Sequence, residues 1–243
     1  MRNNLFFSTV LVLILATSFV FAGGPQVKLI PREIQPARVD GTSSDDLIEL
    51  DLSGFARSPE DSPVSTSSIS NIISTAMKIV VRINGVVIKT FSRTNIPPII
   101  SVFAGGGNDE IIFDADVSRF TILKLHGGEG DDTIQSEQHI NLTNPLCQSG
   151  VTYKRTEIIG SFGDDDMYGG CGDDFVSGFA GNDTINVGGN GYDLVWGGPD
   201  NDDIIAWTGD DVDCGDDVGD ILRYLASAGS PPTYTDCANI EPF

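Results

Sequence analysis

Basic residues are scarce in this chain, and in its second half they are almost missing. The 243 residues carry 14 Lys and Arg against 35 Asp and Glu, a formal net charge of −21. From Thr156 to Phe243 there are 19 acidic side chains and a single basic one, Arg223, a net of −18, which leaves −3 for the first 155 residues. A field of that sign repels phosphate, which argues against nucleic acid and anionic membrane surfaces as partners. Long apolar runs are also few. Leu5 to Phe21, preceded by Arg2 and ending in the small-x-small Val20-Phe21-Ala22, has the layout of an export signal cleaved after Ala22. No second run of about 20 apolar residues follows that could span a membrane. Histidine is limited to His126 and His139, whose spacing matches no zinc motif and which are expected to face solvent. There is no G-x-S-x-G, no H-E-x-x-H and no Ser/His/Asp arrangement to assemble, so no catalytic residues are assigned and the expectation is a protein that is not an enzyme.

The four cysteines, Cys147, Cys171, Cys214 and Cys237, contain no C-x-x-C pair, which argues against a cysteine zinc site. In an exported chain an even count favours disulfides. Four cysteines allow three pairings. A Cys214–Cys237 bridge would close a short loop after the last repeat, and it would leave Cys147 with Cys171.

What the chain does have is glycine and aspartate in a fixed register. From Gly160 to Cys214 the sequence divides into blocks of nine: GSFGDDDMY, GGCGDDFVS, GFAGNDTIN, one extra residue (Val187), GGNGYDLVW, GGPDNDDII and AWTGDDVDC. The sixth position is always aspartate: Asp165, Asp174, Asp183, Asp193, Asp202 and Asp211. The eighth is apolar in Met167, Val176, Ile185, Val195 and Ile204, and is Asp213 in the last block, so the apolar column is expected to stop there. Two isolated copies surround Asp109 and Asp132, and a weaker echo, GTSSDDLIE, surrounds Asp46, which is expected to be structural only. Ser58 to Thr75 reads as a loop. The β-branched runs on either side of Asn84-Gly85 read as a hairpin with a two-residue turn. No amphipathic helix is evident outside the signal, so the fold class is all-β.

Each residue type in the unit has a physical role. Glycine permits positive φ, so the backbone turns tightly and exposes carbonyl oxygens. The sixth position supplies a carboxylate, and calcium takes six to eight oxygens from carboxylates and carbonyls together. The last three residues form a short strand with the apolar one inward. One unit is then half a coil, and turns on one side come from units n and n+2, stacked at about 4.8 Å. The expected pairs are Asp165 with Asp183, Asp174 with Asp193, Asp183 with Asp202, and Asp193 with Asp211.

GGCGDDFVS, GGNGYDLVW and GGEGDDTIQ resemble the hemolysin-type, or RTX, calcium-binding nonapeptide. The resemblance implies a right-handed parallel β-roll or β-helix with calcium in both rows of turns, and metal ligands at Asp109, Asp132, Asp165, Asp174, Asp183, Asp193, Asp202 and Asp211. Ser161, Phe179 and Trp207 stand where the unit has its second glycine, and Asp200 where it has its fourth. The expected organisation is a signal over 1–22, β-helix-like coils over 23–155, the nonapeptide roll over 156–214 and a disulfide-tied cap over 215–243. The expected function is a secreted calcium-binding structural or interaction module that folds with its ions. Its partners would be calcium and a cell-surface or matrix polysaccharide or protein. The competing reading is a β-helical lyase or epimerase acting on acidic polysaccharide, whose charge the second half would repel.

Overall fold

The structure, a computed structural model, describes residues 35–53, 77–136, 147, 150–188, 191–215, 217–224 and 231–242. The expected export signal over 1–22, the serine-rich stretch and His139 lie outside the described residues. Among the described residues there is no α-helix, and no helix long and apolar enough to cross a membrane.

The chain forms a parallel β-roll by alternating between two sheets. The first sheet has 8 strands, running from Ala37–Asp40 through Ile99–Gly106, Ile122–Glu129, Thr156–Phe162, Phe175–Ala180, Leu194–Trp196 and Asp211–Asp213 to Thr233–Thr235. The second has 10 strands. Its parallel part runs from Leu47–Ser53 through Glu110–Phe113, Thr133–Ser136, Asp166–Tyr168, Thr184–Asn186, Asp203–Ala206 and Ile221–Tyr224 to Asn239–Pro242. Neighbours in either sheet come from consecutive coils, as in the pairs Met167↔Ile185 and Val176↔Val195. The strands are short because glycine-rich turns close in on both ends of each one.

The side chains alternate with period two, and the inward ones meet in one core. Its content changes along the chain. Early strands each bury two or three apolar residues: Ile48, Leu50 and Leu52, then Ile100 and Val102, then Leu123 and Leu125. Most later strands bury one each, namely Met167, Val176, Ile185, Val195 and Val212, all 4 % exposed or less, while Asp203–Ala206 buries Ile204 and the small Ala206. Full burial of such a side chain contributes about 1.5–3 kcal/mol, so the apolar contribution per coil falls toward the C-terminus.

The hairpin forms as expected. Lys78–Ile83 and Val86–Ser92 pair antiparallel on the outer edge of Leu47–Ser53. Asn84 and Gly85 have φ of 52° and 76°, the positive pair that a tight hairpin turn requires.

The expected end of the roll is corrected. Asp213 does not occupy the apolar column. Val212 pairs with Val195 and is 1 % exposed, and the ladders continue through Ile221–Tyr224, Thr233–Thr235 and Asn239–Pro242. The turn before Asp211–Asp213 is one residue shorter than nine-residue counting assumes, which shifts the side chains of that strand by one place. Residues expected to form a separate cap therefore belong to further coils.

Both disulfides join Cys147 to Cys171 and Cys214 to Cys237, with Cα separations of 5.6 and 5.0 Å. Cys214 also donates its backbone N–H to the Thr235 carbonyl, so this bridge ties one coil to the next. Replacing both Cys214 and Cys237 with serine is expected to lower stability by about 3 kcal/mol in denaturant unfolding with calcium present. A change under about 0.5 kcal/mol would show that the ladders alone hold the last coil.

Candidate metal centre

The turns fall into two rows. The first row leaves the first sheet and enters the second. Its aspartates are Asp46, Asp109, Asp132, Asp165, Asp183, Asp202 and Asp220, each immediately before a strand of the second sheet or at its entry. The opposite row holds Asp174, Asp193 and Asp210. All ten are 4 % exposed or less.

Of the residues singled out from sequence, Asp109, Asp132, Asp165, Asp183 and Asp202 lie in the first row and Asp174 and Asp193 in the second. Asp211 is corrected. Its side chain lies on the exposed face of Asp211–Asp213, and Asp210 takes the buried place beside Asp193. Sequence counting also missed Asp220. The signal that finds both is the step of two from aspartate to inward apolar residue, seen in Asp183 to Ile185 and Asp202 to Ile204. Applied to the end of the array, it selects Asp210 before Val212 and Asp220 before Leu222.

In the first row, from Asp109 onward, each Oδ1 accepts the backbone N–H of the aspartate one coil earlier. Asp132 accepts from Asp109, Asp165 from Asp132, Asp183 from Asp165, Asp202 from Asp183 and Asp220 from Asp202, at 2.8 to 3.0 Å. The residue just before forms a second ladder in the opposite sense. Asn108, Asp131, Asp164 and Asn182 accept through Oδ1 from the N–H of the following coil. Two opposed side-chain bonds therefore hold each pair of turns at fixed separation.

The other oxygen is left over. Oδ2 of Asp109, Asp132, Asp165, Asp183, Asp202 and Asp220 is buried with no hydrogen-bond partner. A buried polar atom in that state costs about 1–3 kcal/mol, more when charged, and it recurs here in six successive turns. Over the middle turns the backbone makes room for it. A Cβ added at Gly127, Gly160, Gly178 or Gly197 would stand 2.1, 2.1, 2.0 or 2.4 Å from Oδ2 of Asp132, Asp165, Asp183 or Asp202. Ala104 and Cys214 hold that place at the two ends. Turn carbonyls crowd the same gaps: the oxygens of Gly130, Gly163 and Phe179 lie 1.9 to 2.1 Å from where a Cβ on the next coil's turn glycine would stand. Among the described residues no three Asp, Glu, His or Cys side chains converge. A cation here would take carboxylate oxygens from stacked turns and the rest of its shell from carbonyls, a hard oxygen set that fits calcium.

Three of the four replaced glycine positions keep the conformation of the unit, Trp207 being the exception. Ser161, Phe179 and Asp200 have φ of 103°, 76° and 79°, so the turn forms with a backbone strain of order 1–3 kcal/mol at each. Phe179 recovers part of this through an edge-on contact with Trp196, with ring centroids 5.1 Å apart. His126 is half-buried rather than solvent-facing. It stacks on Phe103 at 4.5 Å, and burial lowers its pKa.

Burial also pushes the carboxyls up: Asp165 to about 8, Asp193 to about 9, Asp183 and Asp202 to about 7, and Asp132 and Asp174 to about 6. Neighbouring aspartates of the same row add to the shift for Asp165, Asp193 and Asp202. Without a cation Asp165 and Asp193 would hold protons at neutral pH, and Asp183 and Asp202 would be partly protonated.

The profile of the RTX calcium-binding nonapeptide repeat matches the chain in four copies, over residues 124–138, 159–190 and 187–213. Over these segments the chain resembles RTX-type proteins, and the ion of this repeat is calcium. No curated protein and no solved structure matches the chain.

The shifts set a pH dependence. A carboxyl whose pKa rises from 3.8 on folding favours the folded state at low pH, and that advantage is lost as pH rises through the folded value. In chelator the β signal is therefore expected to weaken between about pH 5 and 9, while saturating calcium should flatten the profile. A β signal in chelator that grows with pH would contradict the burial of these groups.

Proposed function

We propose that this chain is an exported module that folds with calcium, holding ions between successive aspartate turns, and that it serves as a structural or interaction element outside the cell. The observation that carries the reading is the run of buried, unpartnered Oδ2 atoms in consecutive turns. Proposed ligands are Asp109, Asp132, Asp165, Asp183 and Asp202, with calcium offsetting the −18 charge of the second half. Calcium supplies the positive charge these oxygens lack. The chain supplies the geometry, through the opposed side-chain ladders and the glycines beneath each Oδ2.

Export is supported by the Leu5–Phe21 run and by two disulfides, which persist in oxidising compartments. The thin core of the later coils supports coupling to the ion: one inward apolar residue in most strands does not offset chain entropy together with charge repulsion.

Circular dichroism of the mature chain in chelator and in about 1 mM calcium, the range of extracellular modules, tests this. The expected result at pH 7.5 is a large gain of β signal on adding calcium, reversed by chelator. Superimposable spectra would remove calcium-coupled folding.

A further inference from the structure

The opposite row of turns is built differently. Oδ1 of Asp174 accepts the Thr156 N–H at 2.8 Å, and its Oδ2 accepts the Gly170 N–H at 3.0 Å. Oδ1 of Asp210 accepts the Asp193 N–H at 3.1 Å, and its Oδ2 the Trp207 N–H at 2.7 Å. All four oxygens already face backbone donors, whose positive ends stand where a cation would. Asp193 lies between them with a free Oδ2, but the carboxylates of both adjoining turns are closed. No two neighbouring turns of this row offer free carboxylate oxygens.

The first row offers them without a break from Asp109 to Asp220. Its start is closed in the same manner as Asp174: Asp46 accepts the Thr42 N–H at 2.6 Å through Oδ2 and Asn84 Nδ2 at 2.8 Å through Oδ1. Asp109 and Asp220 both stand outside the segments matched by the repeat profile.

We infer that this chain loads calcium along one edge only. Five ions would occupy the five gaps between the six free carboxylates of the first row, the last of them between Asp202 and Asp220. The opposite row takes none; its aspartates staple backbone N–H groups and hold that edge without the ion. The inference rests on the calcium reading and departs from the two-row loading that the repeat resemblance implies.

Bound calcium per chain, counted by native mass spectrometry and calorimetry on the full mature chain and its variants, tests it. Asparagine keeps Oδ1 as an acceptor and removes the free oxygen and its charge. The wild type is expected to hold five ions, Asp183→Asn two fewer because it borders two gaps, and Asp220→Asn one fewer. Asp174→Asn and Asp210→Asn are expected to keep all five, although both should unfold more readily. If either second-row variant fails to fold, the wild-type count still decides, because more than five ions overturns single-edge loading. Loss of ions in Asp174→Asn or Asp210→Asn overturns it as well and leaves the calcium reading standing. No bound calcium in the wild type removes both.

Discussion

A carboxylate taken out of water must meet a proton, a donor or a cation, and most of this molecule's organisation follows from that requirement. Each coil places aspartate where the chain enters a strand, and packing of the next coil buries it. One oxygen is satisfied by an N–H from the coil before. In the first row the second oxygen is not, and among the described residues no Lys or Arg is paired with an aspartate of this row. The one basic residue of the second half, Arg223, is already paired with Asp203 and Glu241 on the outer face of the second sheet.

The same requirement divides the roll into regions of different character. Toward the N-terminus the strands bury two or three apolar residues each, and the hairpin adds Ile79 and Val81 to the core. That part has an apolar interior in its own right. Beyond Thr156 most strands keep one buried apolar residue while the acidic charge rises, so on the proposed reading stability passes from burial to the ions. The strained turns at Ser161, Phe179 and Asp200 lie in the part proposed to depend on ions. There, cation binding that requires the turn geometry would offset the cost of positive φ.

Much of this was legible in the sequence because the repeat writes its period directly into glycine and aspartate. The all-β class and the stacking of unit n on n+2 could be read that way. The hairpin was legible in Asn84-Gly85, while the cysteines left three pairings open and only favoured Cys214 with Cys237. The errors arose where a fixed count of nine met turns of unequal length. A turn one residue short put Asp210, not Asp211, in the buried place, and a turn one residue long hid Asp220. Strand register follows which side chain reaches the core, so the spacing from aspartate to inward residue holds where turn length does not. The difference between the two rows was not legible at all. Asp174 and Asp183 occupy equivalent places in the unit, and only the local N–H of Gly170 closes one and leaves the other open.

Amide hydrogen exchange read residue by residue tests most directly whether the buried carboxylate row depends on a cation. The backbone N–H groups of Asp132, Asp165, Asp183 and Asp202 donate across the coils into that row, and their protection reports whether the coils are closed. At neutral pH they are expected to exchange slowly in calcium and near the unprotected rate in chelator. The amides of Ile100 and Leu125, in the apolar-rich coils, should keep more of their protection in both conditions. Equal, high protection of the four aspartate amides with and without calcium would contradict the account, because it would mean that the row closes on its unpartnered oxygens unaided.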